Sequence, residues 1–169
     1  PVSGACGAGT SRPVEKVTPP APPTGVRRLL WRLPIHLYRL RLGRFLGHRL
    51  MLLTHTGRVS GRQRQAVIEV VHRDDHGYVA ASGFGPRADW YRNVMARPEV
   101  TLQVAGRTLL ATATQIAPGE SAEIMARYAT RHPSTARRLC KLMGFTVNGT
   151  EEDYREIGRQ IPFVRFTPR

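Results

Sequence analysis

Residues 50 to 64 read Leu50-Met51-Leu52-Leu53-Thr54-His55-Thr56-Gly57-Arg58-Val59-Ser60-Gly61-Arg62-Gln63-Arg64, an apolar segment followed by a short polar loop. The two glycines of the loop allow backbone conformations that other residues resist. Thr56 and Ser60 add hydroxyl groups, and the arginines add permanently charged, forked donors that suit phosphate or carboxylate. A strand that ends in such a loop favours an anion-binding site. The alternative is a solvated basic turn between two strands.

The charge of the chain is unusually positive and is concentrated near this loop. The 169 residues include 26 Lys and Arg but only 12 Asp and Glu, which gives a formal net charge of +14. Residues 1–64 contain 12 basic residues and a single acidic one, Glu15, and therefore carry +11 of that charge. Such a field attracts nucleic acid, anionic lipid or a polyanionic cofactor without distinguishing among them.

Several classes of protein are not indicated by the sequence. Cys6 and Cys140 form no CxxC or Cys/His pattern for zinc, and the six histidines form no HExxH pattern, so we expect no metal site. No apolar run approaches the roughly 18 to 20 residues that cross a bilayer, and no signal-peptide pattern is present. Neither GxGxxG after a first strand nor a P-loop occurs. We expect a cytoplasmic protein in a reducing compartment.

The first 46 residues divide into two predicted segments. Residues 1–25 are rich in Pro, Gly, Ala, Thr and Ser and predict a flexible tail. Residues 26–46 predict a basic amphipathic helix, kinked or interrupted at Pro34, that belongs to a single domain over residues 26–169. Its leucine face either covers the domain's own sheet or lies on an anionic membrane surface, with Trp31 and Tyr38 at the boundary.

The remaining chain alternates short strands with helices. Strands are predicted at 49–54, 64–73, 78–82, 99–104, 107–116 and 161–166. Helices are predicted at 89–96, 118–131 and 134–143, with a short acidic one beginning at 150. Asp89 is expected in the cap or first turn of the first helix, and Ser134 is expected to cap the third. About six strands in meanders and hairpins indicate a small antiparallel barrel of the α+β class.

Three stretches resemble the deazaflavin (F420)-dependent nitroreductase family, the group that includes the Ddn-type enzymes. They are LLTHTGRVSGRQR, VAASGFGPRADWYRNVMARPEVTLQVAGR and PGESAEIMARYATRHP, which begin at Leu52, Val79 and Pro118. The resemblance runs from about residue 45 to the C-terminus, with a similar basic helix before it. It implies an FMN-binding-like split β-barrel that uses reduced F420 in place of FMN.

The resemblance also implies a set of site residues. The loop after the first strand should bind the phosphate and glutamate tail of F420 through Arg58, Ser60, Gly61 and Arg64, and Leu53, Thr54 and Val59 are further cofactor-binding candidates. The segment Ala80, Ala81, Ser82 and Gly83 should lie along the deazaflavin ring, and Trp90, Tyr91 and Asn93 should close the groove. Ser82, Tyr91 and Tyr128 are candidate catalytic proton donors or acceptor-orienting groups. Solvent is the alternative proton source, and a helix-core role is the alternative for Tyr128.

The function implied is hydride transfer from reduced F420 to an electron-poor acceptor such as a quinone or conjugated enone. Glu69 stands where nitroimidazole-activating members carry an aromatic residue, so prodrug activation is not expected. Two alternatives remain: an FMN- or haem-binding barrel, and a non-catalytic carrier of a cofactor, lipid or pigment. A small lipophilic acceptor, peripheral membrane contact through residues 26–46 and homodimerisation are further expectations. No motif indicates specific nucleic-acid binding.

Overall fold

One antiparallel sheet, curled into a half-barrel, organises residues 47–169, the part of the chain that the computed structural model describes. The expected tail at 1–25 and amphipathic helix at 26–46 lie outside the described residues. The strands are β1 (Leu50–Thr56), β2 (Gln63–Glu69), β3 (His72–Asp74), β4 (Gly77–Ala81), β5 (Glu99–Val104), β6 (Arg107–Gln115) and β7 (Phe163–Pro168). The helices are α1 (Asp89–Ala96), α2 (Pro118–Arg131), α3 (Pro133–Leu142) and α4 (Glu151–Gln160). The α+β split-barrel fold is confirmed.

The described sheet has seven strands, not about six, because the segment predicted as one strand at 64–73 forms two. The strand order is β2-β1-β5-β6-β7-β4-β3, so β2 and β3 occupy opposite edges although they follow each other in the chain. The backbone changes partner between two valines. The Val70 amide donates to the Arg49 carbonyl, whereas the Val71 amide donates to the Val79 carbonyl on the far side of the curl. The prediction of a single strand was wrong because a hydrophobic pattern does not show a change of partner.

Both faces of the sheet carry buried residues, which pack against different layers. The interior of the curl contains Met51, Leu53, Leu102 and Phe166 and is covered by α1. The outer face of β4 and β7 packs on α2, α3 and α4. Successive residues of a strand point to opposite faces, so Phe163 belongs to the helical layer while Val164 and Phe166 belong to the barrel interior.

The helix ends follow local rules with one exception. Asp89 lies in the first turn of α1, as expected. The Thr150 side chain accepts from the Asp153 amide, and this capping box starts the acidic helix α4. Ser134 does not cap α3. The helix begins one residue earlier, at Pro133, where a ring that fixes φ suits the first turn.

No helix among residues 47–169 is long and apolar enough to span a membrane.

Candidate functional site

The polar loop between β1 and β2 is closed by its own backbone. The Gly57 amide donates to the Arg62 carbonyl at 2.8 Å, and the Gly61 amide donates to the Gly57 carbonyl at 2.9 Å. Gly61 has φ of 65°, a left-handed conformation that glycine adopts without strain. A Cβ on Gly57 would lie 2.8 Å from the Ser60 Oγ and 3.3 Å from the Arg62 carbonyl oxygen, so a larger residue there would require the Ser60 side chain to move. The tight turn directs the loop's side chains outward.

The outward side chains of the loop are exposed and cationic. Val59 is 91% exposed, and Ser60, Arg62 and Arg64 are also exposed. Neither Arg62 nor Arg64 forms an ion pair with another residue in 47–169. Arginine forks that are not already neutralised are suited to phosphate and carboxylate oxygens. The loop therefore has the charge and the donors that suit a ligand with phosphate or carboxylate groups.

Arg58 fastens the loop to helix α1. Its backbone amide and its Nη1 atom both donate to Asn93 Oδ1 at 3.0 Å, and Nη1 also donates to Asp89 Oδ1 at 3.1 Å. The Arg58 side chain is only 25% exposed, whereas that of Asp89 is 84% exposed. Arg58 retains further N–H groups for a ligand, because only Nη1 takes part in these contacts.

His55 completes this network and was missed by the sequence analysis, which considered the histidines only as possible metal ligands. Its Nδ1 atom lies 3.2 Å from Asn93 Nδ2, and the two residues are only 4% and 5% exposed. Burial lowers the pKa of His55, and the nearby Arg64 charge lowers it further, while Asp89 acts in the opposite direction. A neutral imidazole that accepts from the Asn93 amide carries its proton on Nε2. The available signal was alternation, since Met51, Leu53 and His55 share one strand face.

The segment predicted to lie along a cofactor ring is small and closely packed. Ala80 is fully buried in the barrel, and Ala81 is partly buried against the helical layer. Ser82 is fully buried; its amide donates to the Pro162 carbonyl and its hydroxyl donates to the Gly85 carbonyl at 2.7 Å. A Cβ on Gly83 would lie 3.2 Å from the Met143 side chain, so little space remains for a larger residue.

The aromatic pair of α1 packs into the barrel next to β7. The Trp90 and Tyr91 rings meet edge to face at 6.2 Å, and the Trp90 ring lies 6.5 Å from that of Phe166. Tyr91 is 8% exposed, and its hydroxyl forms no hydrogen bond with any residue in the described part of the chain. Trp90 is half-buried.

Tyr128 lies on the other face of the sheet. Its hydroxyl donates to Glu69 Oε1 at 2.7 Å, and the same oxygen accepts from Arg49 Nη2 at 3.3 Å. Burial, reinforced by the Glu69 carboxylate, raises the pKa of Tyr128 well above that of an ordinary tyrosine. Tyr128 belongs to the helical layer and Tyr91 to the barrel interior, so the structure does not bring the three catalytic candidates into one cluster.

The two strand residues of the predicted set lie on opposite faces of β1. Leu53 is fully buried in the barrel interior. The Thr54 hydroxyl accepts from Gln65 on the outer face, where Thr54, Thr101 and Leu110 help to line a cavity of about 200 Å³. Within residues 47–169, no group of three or more His, Cys, Asp and Glu side chains is placed to hold a metal.

Comparison with known proteins identifies a family. Residues 31–143 match the model of the F420H(2)-dependent quinone reductase family. Among solved structures, an F420-H2 dependent reductase, FDR-A, shares 23% identity over 71% of this chain and 95% of its own, with a TM-score of 0.49. No curated protein matches the chain.

Two further structures show the fold. HutZ, the heme storage protein from Vibrio cholerae, shares 13% identity over 78% of this chain and 89% of its own, with a TM-score of 0.50. A protein of unknown function from Agrobacterium tumefaciens shares 18% identity over 86% of this chain and 58% of its own, with a TM-score of 0.51. At these identities the similarity concerns the fold alone.

Proposed function

The chain belongs to the F420H(2)-dependent quinone reductase family, and we propose that it reduces quinones or related conjugated acceptors, with F420 held by the loop between β1 and β2. Family membership makes the protein an enzyme that depends on reduced F420, and it confirms the family resemblance seen in the sequence. The acceptor class and the roles of individual residues are the proposal. F420 supplies a hydride when bound.

The observation that supports this placement best is the set of free cations in the loop. Arg62 and Arg64 are exposed and without ion pairs in the described part of the chain, beside the Ser60 hydroxyl. We assign the phosphate and carboxylates of F420 to these arginines together with Arg58, Ser60 and Gly61. Val59 is exposed and offers only its backbone, since its side chain has no polar atom.

The strip from Ala80 to Gly83 is assigned to the deazaflavin ring. The support is the family resemblance together with the small side chains of the strip. Ala80 and Ser82 are fully buried, so the ring would meet the strip at its partly exposed residues, Ala81 and Gly83. Trp90 closes this region from the side of α1, where its ring lies over β7.

Proton delivery to the product is assigned to Tyr91 or to solvent. The hydroxyls of Ser82 and Tyr128 already donate to the Gly85 carbonyl and to Glu69, respectively. The Tyr91 hydroxyl has no such acceptor among the described residues and can orient or protonate an acceptor. Tyr91→Phe should lower kcat for a quinone while the Kd for F420 stays within about twofold. An unchanged kcat would assign the proton to solvent.

The cofactor site is tested by fluorescence titration of the purified protein with F420, beside FMN. An Arg62→Ala, Arg64→Ala variant should bind F420 at least about tenfold more weakly than the wild type, because charge-assisted hydrogen bonds are lost. An Arg97→Ala, Arg107→Ala variant is the matched control, since it removes equal charge from exposed sites outside the loop. Equal losses in both variants would indicate a general field effect instead of a site.

The acceptor class is tested by following the oxidation of reduced F420 with a naphthoquinone, a cyclic enone and a nitroimidazole. The proposal expects turnover with the first two. F420 binding with turnover of neither would point to the carrier alternative. No F420 binding at tens of micromolar would overturn the whole assignment.

We also propose that residues 26–46 contact an anionic membrane, from which a lipophilic acceptor would be drawn. The support is the sequence pattern of leucines and arginines in that segment. Co-sedimentation with vesicles containing anionic lipid, and not with zwitterionic vesicles, is the expected result. Removal of residues 1–46 should abolish it. Retained binding would assign the contact to the rest of the chain.

A further inference from the structure

We propose that His55 and Asn93 are positioning residues that set the affinity for the anionic part of F420 without touching the cofactor. The inference rests on the proposed function, and it gives a role to His55, to which the family resemblance assigned none. The two side chains form a short chain of hydrogen bonds that runs from the barrel interior to the loop. Its steps are His55 Nδ1 to Asn93 Nδ2, and Asn93 Oδ1 to the amide and guanidinium of Arg58.

The pair stands out because the barrel interior is mostly apolar. Met51, Leu53 and Val94 are fully buried there, and His55 and Asn93 are, with Ser82 and Ser121, the buried polar residues of the described chain. Burying polar groups is unfavourable unless each is hydrogen-bonded. The two satisfy each other, and no side-chain N or O atom among the described residues is buried without a partner.

Stability alone gives no reason for this polar pair. Replacing both members of a buried hydrogen bond with apolar groups of similar shape is close to neutral or stabilising. What only the polar pair supplies is the contact with Arg58. Asn93 Oδ1 receives two hydrogen bonds at 3.0 Å from that one residue, including the bond from its backbone amide. The backbone of the loop is therefore held at Arg58, from the side of the barrel interior.

The direction of each hydrogen bond follows from Arg58, whose amide and guanidinium can only donate, so the Asn93 amide oxygen faces Arg58 and its nitrogen faces His55. A neutral imidazole with its proton on Nε2 accepts from that nitrogen. Without an acceptor at that place, the buried Asn93 Nδ2 donor would be left unpaired, which would weaken the hold of Asn93 on Arg58. His55 thus supports Asn93, and Asn93 holds the loop. The loop then presents Ser60, Arg62 and Arg64 without having to be ordered at the moment of binding.

The test compares two ligands that differ only in the anionic part. One is F420, and the other is the riboflavin-level deazaflavin that lacks the phosphate and the glutamate tail. A His55→Leu, Asn93→Leu double variant should bind F420 at least about tenfold more weakly, while its Kd for the tail-less ligand stays within about twofold of wild type. A merely structural role would weaken both ligands equally. Ser121→Ala, which removes a buried hydroxyl on α2, is the matched control and should change neither Kd.

Two single variants complete the experiment. In His55→Gln the side-chain amide oxygen can still accept from Asn93, so the Kd for F420 should stay within about threefold of the wild-type value. In His55→Leu no acceptor remains, and F420 should bind more weakly than that. This pair decides the question if the double variant does not fold.

The outcomes separate this inference from the proposed function. If the wild type binds F420 and the variants discriminate between the two ligands as the wild type does, the positioning role alone is overturned. Equal loss of both ligands would do the same. Failure of the wild type to bind F420 would overturn the proposed function, and the positioning role with it.

Discussion

The two buried faces of the sheet differ in how they use polar groups. The barrel interior buries His55 and Asn93 in a chain of hydrogen bonds that ends at an exposed loop. In the helical layer the Ser121 hydroxyl donates to the Ala117 carbonyl one turn away, and the Tyr128 hydroxyl donates to Glu69 of strand β2. The hydrogen bonds of the first face connect the core to the exposed loop between β1 and β2, whereas those of the second do not reach that loop.

This difference separates residues that maintain the fold from residues that shape the site. A change in the helical layer should affect stability and leave cofactor affinity nearly constant. A change in the barrel interior should affect both. Strand β7 contributes to both faces and offers the cleanest comparison.

The largest effects are expected from two phenylalanines of β7. Phe163 and Phe166 are both fully buried, on opposite faces. Each change to Ala should lower the free energy of unfolding by about 3 to 5 kcal/mol in urea titrations. The milder changes to Leu separate the two faces. Phe166→Leu should weaken F420 binding, because Phe166 lies beside Trp90, whereas the control Phe163→Leu should not. Equal binding losses would erase the distinction between the faces.

The next effect concerns the contact between α2 and α4. A Cβ on Gly158 would lie 2.6 Å from Ala122 Cα and from the Ser121 carbonyl oxygen, so the two helices would have to separate. Gly158→Ala should cost about 1 to 3 kcal/mol by overpacking, although Ala is the better helix former by about 1 kcal/mol. Gly119→Ala on α2 meets nothing within 4 Å and should stabilise instead. A stabilising Gly158→Ala would show that the helices are not held this closely.

A smaller effect should appear as pH falls from 7 to 5. Burial lowers the pKa of His55 in the barrel and that of His72 on the helical side, where Asp74 opposes the shift. The unfolded chain therefore binds more protons in this range. Stability is complete above the unfolded pKa of about 6.5 and declines below it, by at most about 1.4 kcal/mol per pH unit for each group. His55→Gln should reduce the pH dependence of the free energy of unfolding more than His72→Gln does. The reverse order would show that the histidine of the helical layer is the less accessible of the two.

The smallest effect is expected at the rim of the helical layer. Tyr128→Phe removes the hydrogen bond to Glu69 and should cost about 0.5 to 1.5 kcal/mol in urea titrations, because Arg49 still pairs with the carboxylate. The Kd for F420 should not change. In Glu69→Gln, the absorbance titration of Tyr128 should move to lower pH, since the carboxylate helps to raise the pKa of its hydroxyl. A loss of F420 affinity in Tyr128→Phe would move Tyr128 into the cofactor site.

The sequence predicted most of the elements because their signals are local. Alternation and hairpin turns located the strands, and the hairpin between β3 and β4 pairs Asp74 with Gly77. The acidic first turn of α4 was likewise visible. The change of strand partner between Val70 and Val71 was not visible in the sequence, since it depends on how far the whole sheet curls.

The composition of the loop between β1 and β2 predicted an anion site there, but it did not predict the residues beneath the loop. Gly57, Arg58 and Gly61 support that prediction by residue type alone. His55 becomes meaningful only through Asn93, 38 positions away, and a single sequence does not show which distant amide an isolated histidine will meet.

The position of β7 has a consequence for the order of folding. It lies between β6 and β4, and its partners in β4 are about 85 residues earlier in the chain, as with Tyr78 and Phe166. The hairpins β1–β2, β3–β4 and β5–β6 can each form as soon as they are synthesised. The two halves of the sheet can be joined only after residues 163–168 have left the ribosome. Until then β4 and β6 present unpaired edges, so a nascent chain stalled before Phe163 should be the most aggregation-prone stage of its synthesis.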